Sequence, residues 1–422
     1  MRFVYCYTAR IVNNTITAYE YDTLRSELTA AQLAALQRYH GVGECPYYAL
    51  VHKGIKLRGF VGVLRVGELT LEVLPKADRN SETTEWRRRL LDMLRVVHRL
   101  KPTAPSTAAL HLRPDAILHL YFELFVNEVE QLLRQGLFRS YQCERTNATA
   151  LSGRLLFAEH LRHNLVHRER FFVERDRYDF ANTLNRVLLT ALQLVRRLNR
   201  QPELAGRIRT LEEAFPPIRE IRVSQGLFDR LKLTRQTKTY GPALQIARLL
   251  LLRYHPGLRG GKEEVLALLF RMDQLWEEFL LISLRRYLPE EYTVAKERGR
   301  QYWETRGFAS TIEPDIMIRR AGEVVAILDA KWKTPELRPS PGDLQQLYTY
   351  AHFHGAEWVA LVYPRVDGRG DIVGSFRKSG VRGDMVFVPV PRVAGHSVQF
   401  WMQSISDSIR DWLGECSGTS RD

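Results

Sequence analysis

The chain has 422 residues, 45% of them hydrophobic, which is enough apolar material for the cores of two or three domains and excludes a disordered or fibrous protein. Its 62 lysines and arginines outnumber 48 acidic residues, and the resulting net charge of +14 favours a polyanionic partner. Four widely spaced cysteines without a CxxC pair argue against a zinc ribbon or a disulfide framework, and we find no signal-peptide or membrane-span pattern, so a cytoplasmic protein without membrane contact is expected.

The first region, residues 1–105, is predicted to be a β-rich domain. Short β-branched and aromatic runs punctuated by glycine occur between residues 47 and 76, and Gly67-Glu68 separates two of them as a hairpin turn would. Apolar residues at helical spacing predict a helix over 82–100. The segment KPTAPST at 101–107 then has the composition of a linker.

The second region, residues 106–257, is predicted to be mainly helical. Segments 117–136 and 181–199 carry apolar residues at i, i+3, i+4 and i+7, as packed bundle helices do. Three histidines share a helical face in a basic stretch, but interleaved arginine and asparagine favour a solvated or DNA-facing helix over a metal site. These histidines are His160, His163 and His167. The glycine- and charge-rich stretch 255–264 marks the next boundary.

The last region, residues 258–422, carries the most informative order of elements. The predicted elements are a helix over 263–288, a strand near 291–297, a hairpin over 312–333, a helix with Asp343 as N-cap, a buried strand over 357–364 ended by Pro364, and a strand over 384–390. Their order is αβββαβ, with the final strand as an extension of the sheet.

The hairpin IEPDIMIRRAGEVVAILDAKWK places charged residues inside two otherwise apolar strands. A turn centred on 321–323 brings Asp315 and Asp329 close to each other across the strands, and alternation puts Lys331 on the same face as Asp329. Neighbouring carboxylates repel unless a cation lies between them, so we expect Mg²⁺, with Mn²⁺ as the alternative, and phosphodiester hydrolysis. The alternative interpretation is the polar face of an ordinary hairpin, but the flanks are apolar on both faces, as in a buried sheet.

The motif Pro314-Asp315, followed after thirteen residues by Asp329-Ala330-Lys331, resembles that of PD-(D/E)xK nucleases, whose restriction-endonuclease-like core has the order αβββαβ. Under this resemblance, Glu277 on the preceding helix completes the metal site. Gln346 and Tyr350 resemble the QxxxY signature of RecB-type members and would support the site. A solvated helix charge at Glu277, and ordinary packing for the other two residues, remain open alternatives.

Other segments extend the resemblance over most of the chain. They occur in the order seen in the McrC family and lie at 62–76, 151–164, 179–188 and 272–279. The resemblance implies an α+β multidomain protein with a β-rich domain, a helical domain and a restriction-endonuclease-like domain. It also implies the DNA endonuclease subunit of a type IV, modification-dependent restriction system in antiphage defence, which works with a McrB-like AAA+ GTPase hexamer.

In that family the partner hydrolyses GTP and recognises methylated DNA, and residues 1–105 of this chain would dock on it and stimulate it. The hairpin around Gly67, with Arg58 and Arg65, is a candidate contact, as a projecting basic loop. No GxxxxGK[ST] motif is present, so the chain is not expected to hydrolyse nucleotide alone.

The resemblance implies roles for the named residues. Asp315, Asp329 and Glu277 would hold Mg²⁺, and Lys331 would orient water or stabilise charge. The products would carry 3′-hydroxyl and 5′-phosphate ends. Two alternatives remain open: a non-cleaving adaptor that activates the GTPase, and a stand-alone RecB-type repair nuclease. Dimerisation through the assembled complex is also left open.

Overall fold

The computed structural model describes most of the chain in eleven stretches. They are residues 10–12, 14–41, 45–75, 83–98, 116–167, 169–255, 264–297, 299–333, 338–365, 368–391 and 396–418. The chain divides into two compact units, one made of Met1–Ile117 with Gly257–Asp422 and the other of Leu118–Pro256. The predicted linker 101–107 and nearly all of the predicted boundary 255–264 lie outside the described residues. Within the described ranges, no helix is long and apolar enough to cross a membrane.

The N-terminal segment of the first unit is rich in strands, as predicted. Its elements are β1 (Arg10–Val12), β2 (Thr15–Tyr19), β3 (Thr23–Leu24), α1 (Ala30–Gly41), β4 (Tyr48–Val51), β5 (Gly54–Leu57), β6 (Phe60–Val66), β7 (Leu69–Leu74) and α2 (Thr83–Val97). Strands β6 and β7 form the predicted hairpin, and Gly67 takes a φ of +56° that suits glycine at a tight turn.

This hairpin does not project from the fold, which corrects the expectation of a protruding basic loop. Its two strands are flanked by other strands of one sheet, since β2 pairs with β7 in parallel. Val66 and Leu69 beside the turn are buried, and the Gly67 amide donates a 2.9 Å hydrogen bond to the Glu264 carbonyl. The turn is therefore held against neighbouring backbone.

The second unit is mainly helical, as predicted, but it also contains an antiparallel sheet. Its elements are α3 (Ala116–Gln135), β8 (Ser140–Ala148), β9 (Arg154–Leu155), α4 (Phe157–Asn164), β10 (Phe171–Asp179), α5 (Thr183–Leu198), α6 (Pro202–Ala214), α7 (Gln225–Arg230), a 3₁₀ turn (Lys238–Tyr240), α8 (Gly241–Leu252) and β11 (Tyr254–His255). The sheet β8-β10-β9 escaped prediction because its long strands are mostly polar and half exposed. His160 and His163 lie on α4, whereas His167 lies beyond its end.

The C-terminal segment belongs to the first unit. Its elements are β12 (Val265–Arg271), α9 (Met272–Tyr287), β13 (Tyr292–Ala295), β14 (Arg300–Thr305), β15 (Phe308–Ile312), β16 (Ile316–Arg320), β17 (Glu323–Ala330), α10 (Pro341–His354), β18 (Trp358–Arg365), β19 (Arg382–Pro389) and α11 (Val398–Gly418). A five-stranded sheet has the order β13-β16-β17-β18-β19, with β17, β18 and β19 parallel. With the β14–β15 hairpin set aside, the run from α9 to β18 follows the predicted αβββαβ order.

The predicted helix over 263–288 is wrong in its first part. Val265–Arg271 is a strand that pairs antiparallel with β6, from Val265 opposite Val66 to Arg271 opposite Phe60. A short, continuously apolar run cannot be assigned to helix or strand from periodicity alone. The strand is buried, and its partner strand β6 lies some 200 residues earlier in the sequence. Tertiary pairing therefore decides its conformation.

Two boundaries in the C-terminal sheet differ from the prediction. The N-cap of α10 is Ser340, whose side chain accepts a hydrogen bond from the Asp343 amide, and Pro341 opens the helix. Pro364 lies inside β18 instead of ending it, opposite Val388. Proline is tolerated there because the pairing of β18 with β17 has already ended at Val362, so its missing N–H leaves no bond to β17 unmade.

The core of this sheet lies on both of its faces. Leu347, Tyr350 and Ala351 of α10 pack with Ile327 and Leu361 of the strands on one face. Helices α9 and α11 contact each other and the sheet, with Trp401 packed 4.5 Å from Phe279 between ring centroids. Both faces of β17 are therefore covered by helices, which explains why its last five residues are all buried.

Candidate active site

The β16–β17 hairpin sets the position of its two carboxylates. Its turn is Ala321-Gly322, with φ values of +52° and +92°, and Arg320 pairs with Glu323 across it. The register pairs Ile316 with Leu328, so Asp315 and Asp329 follow as the next opposed pair. One side-chain oxygen of Asp315, Oδ2, accepts a 2.8 Å hydrogen bond from the Ala330 amide. The predicted convergence of the two strands at these residues is present.

Asp329 and Lys331 form the tightest contact of the site. Asp329 is 1% exposed, and its Oδ2 lies 2.6 Å from Nζ of Lys331. The Lys331 amide donates to the Val362 carbonyl at 2.9 Å, which continues the pairing of β17 with β18. The backbone of Lys331 is thus held by the sheet, and its ammonium group is held by the carboxylate two residues earlier.

The buried carboxyl groups of the site are harder to ionise than carboxyl groups in water. Burial, together with the charges of Asp329 and Glu277, raises the pKa of Asp315 to about 7. Burial also raises the pKa of Asp329, although Lys331 opposes this shift. Burial disfavours the charged form of Lys331, but the charges of Asp329, Asp343 and Asp315 together outweigh it, and the Lys331 pKa is raised. The site therefore contains a protonated Lys331, and a further positive charge would favour the ionised forms of Asp315 and Asp329.

Glu277 lies on α9 and faces this pocket electrostatically, since its charge raises the pKa of both aspartates. Its Oε1 lies 2.5 Å from Nζ of Lys296, and that ammonium group is also 3.7 Å from Glu313. Its neighbour Glu278 is exposed, whereas Glu277 is partly buried. In this arrangement the Lys296 ammonium group is paired with the Glu277 carboxylate.

Gln346 and Tyr350 on α10 join the same network. Lys331 Nζ donates to Gln346 Oε1 at 3.3 Å, and Gln346 Nε2 donates to the Tyr350 hydroxyl at 2.6 Å. The hydroxyl in turn donates to the Glu313 carbonyl at 3.1 Å. Burial and the nearby charge of Asp329 raise the pKa of Tyr350, so it stays neutral and able to donate. Gln346 and Tyr350 thus form one hydrogen-bonded network with Lys331, which also contacts Asp329, while Asp315 and Glu277 act on this group through their charges.

Sequence reasoning missed several residues around Lys331. Asp343 Oδ1 lies 3.6 Å from Lys331 Nζ, and Asp343 Oδ2 lies 2.6 Å from Lys333 Nζ. Burial opposes ionisation of Asp343, but bonds from Lys333 and Ser340 outweigh it and lower its pKa. The two lysines at 331 and 333 indicated an acidic neighbour, but the sequence did not show that this neighbour would be Asp343 on α10.

Trp332 was also missed, and it joins the site to the N-terminal sheet. Its indole donates a 2.8 Å hydrogen bond to Glu20 Oε1, just after β2. Its ring lies 5.9 Å from that of Trp86 and 5.2 Å from that of Trp276, centroid to centroid. Trp276 directly precedes Glu277. The two chain segments that carry Lys331 and Glu277 thus pack on each other through two indoles.

The side chains offer the donors of a hard cation site, but not an assembled one. No group of three or more His, Cys, Asp or Glu residues in the described part of the chain is arranged as a set of metal ligands. Two of the carboxylates are instead paired with lysines, Asp329 with Lys331 and Glu277 with Lys296. Oxygen donors and excess negative charge nevertheless fit Mg²⁺ chemically.

Comparisons with known proteins agree with the architecture. A family model described as McrBC 5-methylcytosine restriction system component matches residues 55–364. No curated protein matches the sequence. A chain in a half-complex from a tetradecameric assembly of Thermococcus gammatolerans McrB AAA+ hexamers with bound McrC is 21% identical, with a TM-score of 0.70 over 94% of this chain and 100% of that one. A chain of the Thermococcus gammatolerans McrBC complex is 22% identical, with a TM-score of 0.48 over 64% of this chain and 87% of that one.

Proposed function

Because this chain belongs to the McrBC 5-methylcytosine restriction system component family, as its resemblance to McrC predicted, we propose that it is the DNA endonuclease subunit of a GTP-dependent, modification-dependent restriction complex. The observation that carries the proposal is the buried Asp329–Lys331 contact beside Asp315, at the end of the hairpin of an αβββαβ sheet. In this proposal the C-terminal sheet and its helices form a restriction-endonuclease-like domain.

Asp315 and Asp329 hold Mg²⁺, and Glu277 completes the set of carboxylates. The bound ion supplies Lewis-acid stabilisation of the phosphate and lowers the pKa of a bound water. The raised pKa of Asp315 supports this assignment, because an added cation relieves the repulsion among the three carboxylates. Glu277 would bind the ion only when it is not paired with Lys296, whose ammonium group lies 2.5 Å away in this structure.

Lys331 stabilises negative charge on the phosphodiester or orients the attacking water. Its ammonium group is held from two sides, by Asp329 at 2.6 Å and by Gln346 at 3.3 Å. A positioned cation that needs no reorientation during the reaction stabilises a transition state more than a mobile one does. Gln346 and Tyr350 act as positioning residues through this contact.

The partners proposed for the chain are DNA and a McrB-like AAA+ GTPase hexamer. The similar Thermococcus chain belongs to an assembly of McrB hexamers with bound McrC, and the family description names 5-methylcytosine. A net charge of +14 supports contact with a polyanion. In this proposal the chain stimulates GTP hydrolysis by the hexamer and cuts the DNA that the hexamer engages.

Plasmid cleavage tests the whole proposal. The purified chain is incubated with Mg²⁺ and methylated plasmid, with and without the AAA+ subunit and GTP, beside an Asp329→Ala control. We expect cleavage only when partner and GTP are both present, and none with the control. Cleavage by the chain alone would instead identify a stand-alone nuclease. Stimulated GTP hydrolysis without any cleavage would identify an adaptor.

Tyr350→Phe is expected to lower the cleavage rate about 3- to 10-fold, in line with the loss of one hydrogen bond. The variant loses the donation to the Glu313 carbonyl and leaves Gln346 without its acceptor, so Lys331 is held less firmly. DNA affinity should not change. Tyr348→Phe is the matched control, because Tyr348 lies on the same helix, half exposed. Equal rates for both variants would remove Tyr350 from the site.

A further inference from the structure

The β14–β15 hairpin is inserted in the sequence between two paired strands of the five-stranded sheet, and it exposes large aromatic side chains. It lies between β13 and β16 in sequence but forms its own two-stranded sheet. Every residue of β14 is exposed, including Tyr302 at 50% and Trp303 at 51%, and Phe308 of β15 is 66% exposed. Contiguous exposed apolar patches on soluble proteins mark interaction surfaces.

The aromatic side chains form one surface. Trp303 pairs with Ser310 and Thr305 pairs with Phe308, so Trp303 and Phe308 are diagonal neighbours on one face. Their ring centroids lie 5.7 Å apart. The register shifts at Tyr302, between Gln301 and Trp303, which marks a bulge in β14. Two-stranded hairpins are only marginally stable alone. A partner that covers the aromatic face would add the burial of apolar surface that this hairpin lacks.

The charges around this surface favour a nucleic acid as that partner. Arg300 lies at the base of the hairpin, mostly exposed, with one ion pair to Glu297. Arg306 lies in the turn, exposed, and makes no ion pair with any residue that the structure describes. Glu304 is the one acidic residue of the two strands. Aromatic rings flanked by arginines bind DNA by stacking and by phosphate contact.

Both ends of the hairpin lead into the proposed active site. Before β14, Lys296 is paired with Glu277. Strand β15 ends at Ile312, which is buried in the sheet core. Beyond it the Glu313 carbonyl accepts the Tyr350 hydrogen bond, and Asp315 follows. The hairpin is therefore joined at both ends to segments that carry proposed site residues.

We propose that the β14–β15 hairpin is a DNA-contact element of this nuclease, with Trp303 and Phe308 packed against bases or sugars next to the cleaved bond. Arg300 and Arg306 contact the flanking phosphates. The inference rests on the proposed function, because it takes the pocket at Asp315 as the place where DNA is cut. It adds a sequence-independent contact that the catalytic residues do not provide.

DNA binding without cleavage tests this assignment. The full-length chain is titrated into a short fluorescent duplex in EDTA at low salt, and anisotropy is measured for wild type, Trp303→Ala/Phe308→Ala and Phe400→Ala. We expect the double variant to bind about tenfold or more weakly, the range for loss of stacked aromatic contacts. Phe400 is equally exposed, at 49%, but lies on α11, so its variant should bind as wild type does. Trp303→Phe should retain most of the affinity.

A second readout is direct. DNA should quench a part of the tryptophan emission that is missing in Trp303→Phe. Arg306→Ala should reduce the dependence of log affinity on log salt by about one unit. Both variants leave the proposed metal ligands unchanged.

The outcomes separate this inference from the nuclease proposal. Wild-type affinity in the double variant, or no duplex binding by the wild-type chain, would overturn the hairpin assignment while Asp329→Ala still reports on cleavage. Unchanged DNA affinity with lost GTPase stimulation, or with a changed oligomeric state, would also overturn it, since the surface would then bind protein. Weaker DNA binding by the double variant would support the hairpin even if no cleavage were found.

Discussion

Asp329→Ala is expected to reduce DNA cleavage by the assembled complex by roughly 10³-fold or more, which corresponds to the several kcal/mol that a catalytic metal ion supplies. Asp329 is a proposed metal ligand and also the partner that holds Lys331 at 2.6 Å, so one substitution removes both functions. DNA affinity and stimulation of the GTPase should remain, because neither requires the ion proposed at Asp315, Asp329 and Glu277. Plasmid cleavage and GTP hydrolysis are measured on the same preparations.

Lysine variants provide the matched comparison. Lys331→Ala should also abolish cleavage, whereas Lys333→Ala should leave it within a few-fold of wild type. Lys333 contacts Asp343 at the edge of the pocket and does not contact Asp329 in the structure. Full cleavage by Asp329→Ala, or equal losses in the two lysine variants, would reject the proposed roles. Circular dichroism of each variant excludes loss of fold as the cause.

Asp315→Asn is expected to stabilise the metal-free protein at pH 8 by about 2–4 kcal/mol, at about 1.4 kcal/mol per unit of pKa shift. Burial and the neighbouring charges of Asp329 and Glu277 raise the pKa of Asp315 from 3.8 to about 7, so ionised Asp315 disfavours the folded state. The stability that a raised pKa provides is present below pH 3.8 and is lost as the pH rises to about 7. Asparagine is uncharged and retains an oxygen acceptor for the Ala330 amide.

Urea unfolding in EDTA measures this effect. The gain in unfolding free energy should be largest at pH 8 and should shrink as the pH falls towards 4, where the wild-type carboxyl is protonated in the folded state. Added Mg²⁺ should stabilise wild type and leave Asp315→Asn unchanged, because the variant lacks a ligand. A less stable variant at pH 8, or equal stabilisation of both proteins by Mg²⁺, would contradict the electrostatic account of the pocket.

The hairpin at 312–333 shows how far local pattern carries. Its apolar flanks and the opposition of Asp315 and Asp329 were predicted from strand alternation about a turn centred on 321–323. The structure instead has the two-residue turn Ala321-Gly322, and a register shift between Ile318 and Arg319 restores the predicted opposition. Strand pairing is local there, since the two strands are joined by the shortest of connections. The i, i+4 spacing of Gln346 and Tyr350 likewise predicts their shared helix face, and they are hydrogen bonded.

Boundaries and isolated apolar runs were less readable. Val265–Arg271 has no periodicity that separates strand from helix, and its partner strand β6 lies far away in sequence. Ser340 and Asp343 both have N-cap chemistry, and the position of Pro341 at the first helical turn selects the serine. The choice in each case depends on backbone geometry that composition does not specify.

The sequence by itself determined the family and the αβββαβ order of the core elements, and it nominated the six candidate site residues, because motif spacing and periodicity are local properties of the chain. Tertiary structure alone decided the contacts between segments that are distant in sequence and the exposure of individual side chains. The pairing of Lys296 with Glu277, the contact of Trp332 with Glu20 and the exposure of Trp303 all depend on how distant segments pack. Burial and charge at such meeting points set the pKa of Asp315, and no spacing along the chain encodes that environment.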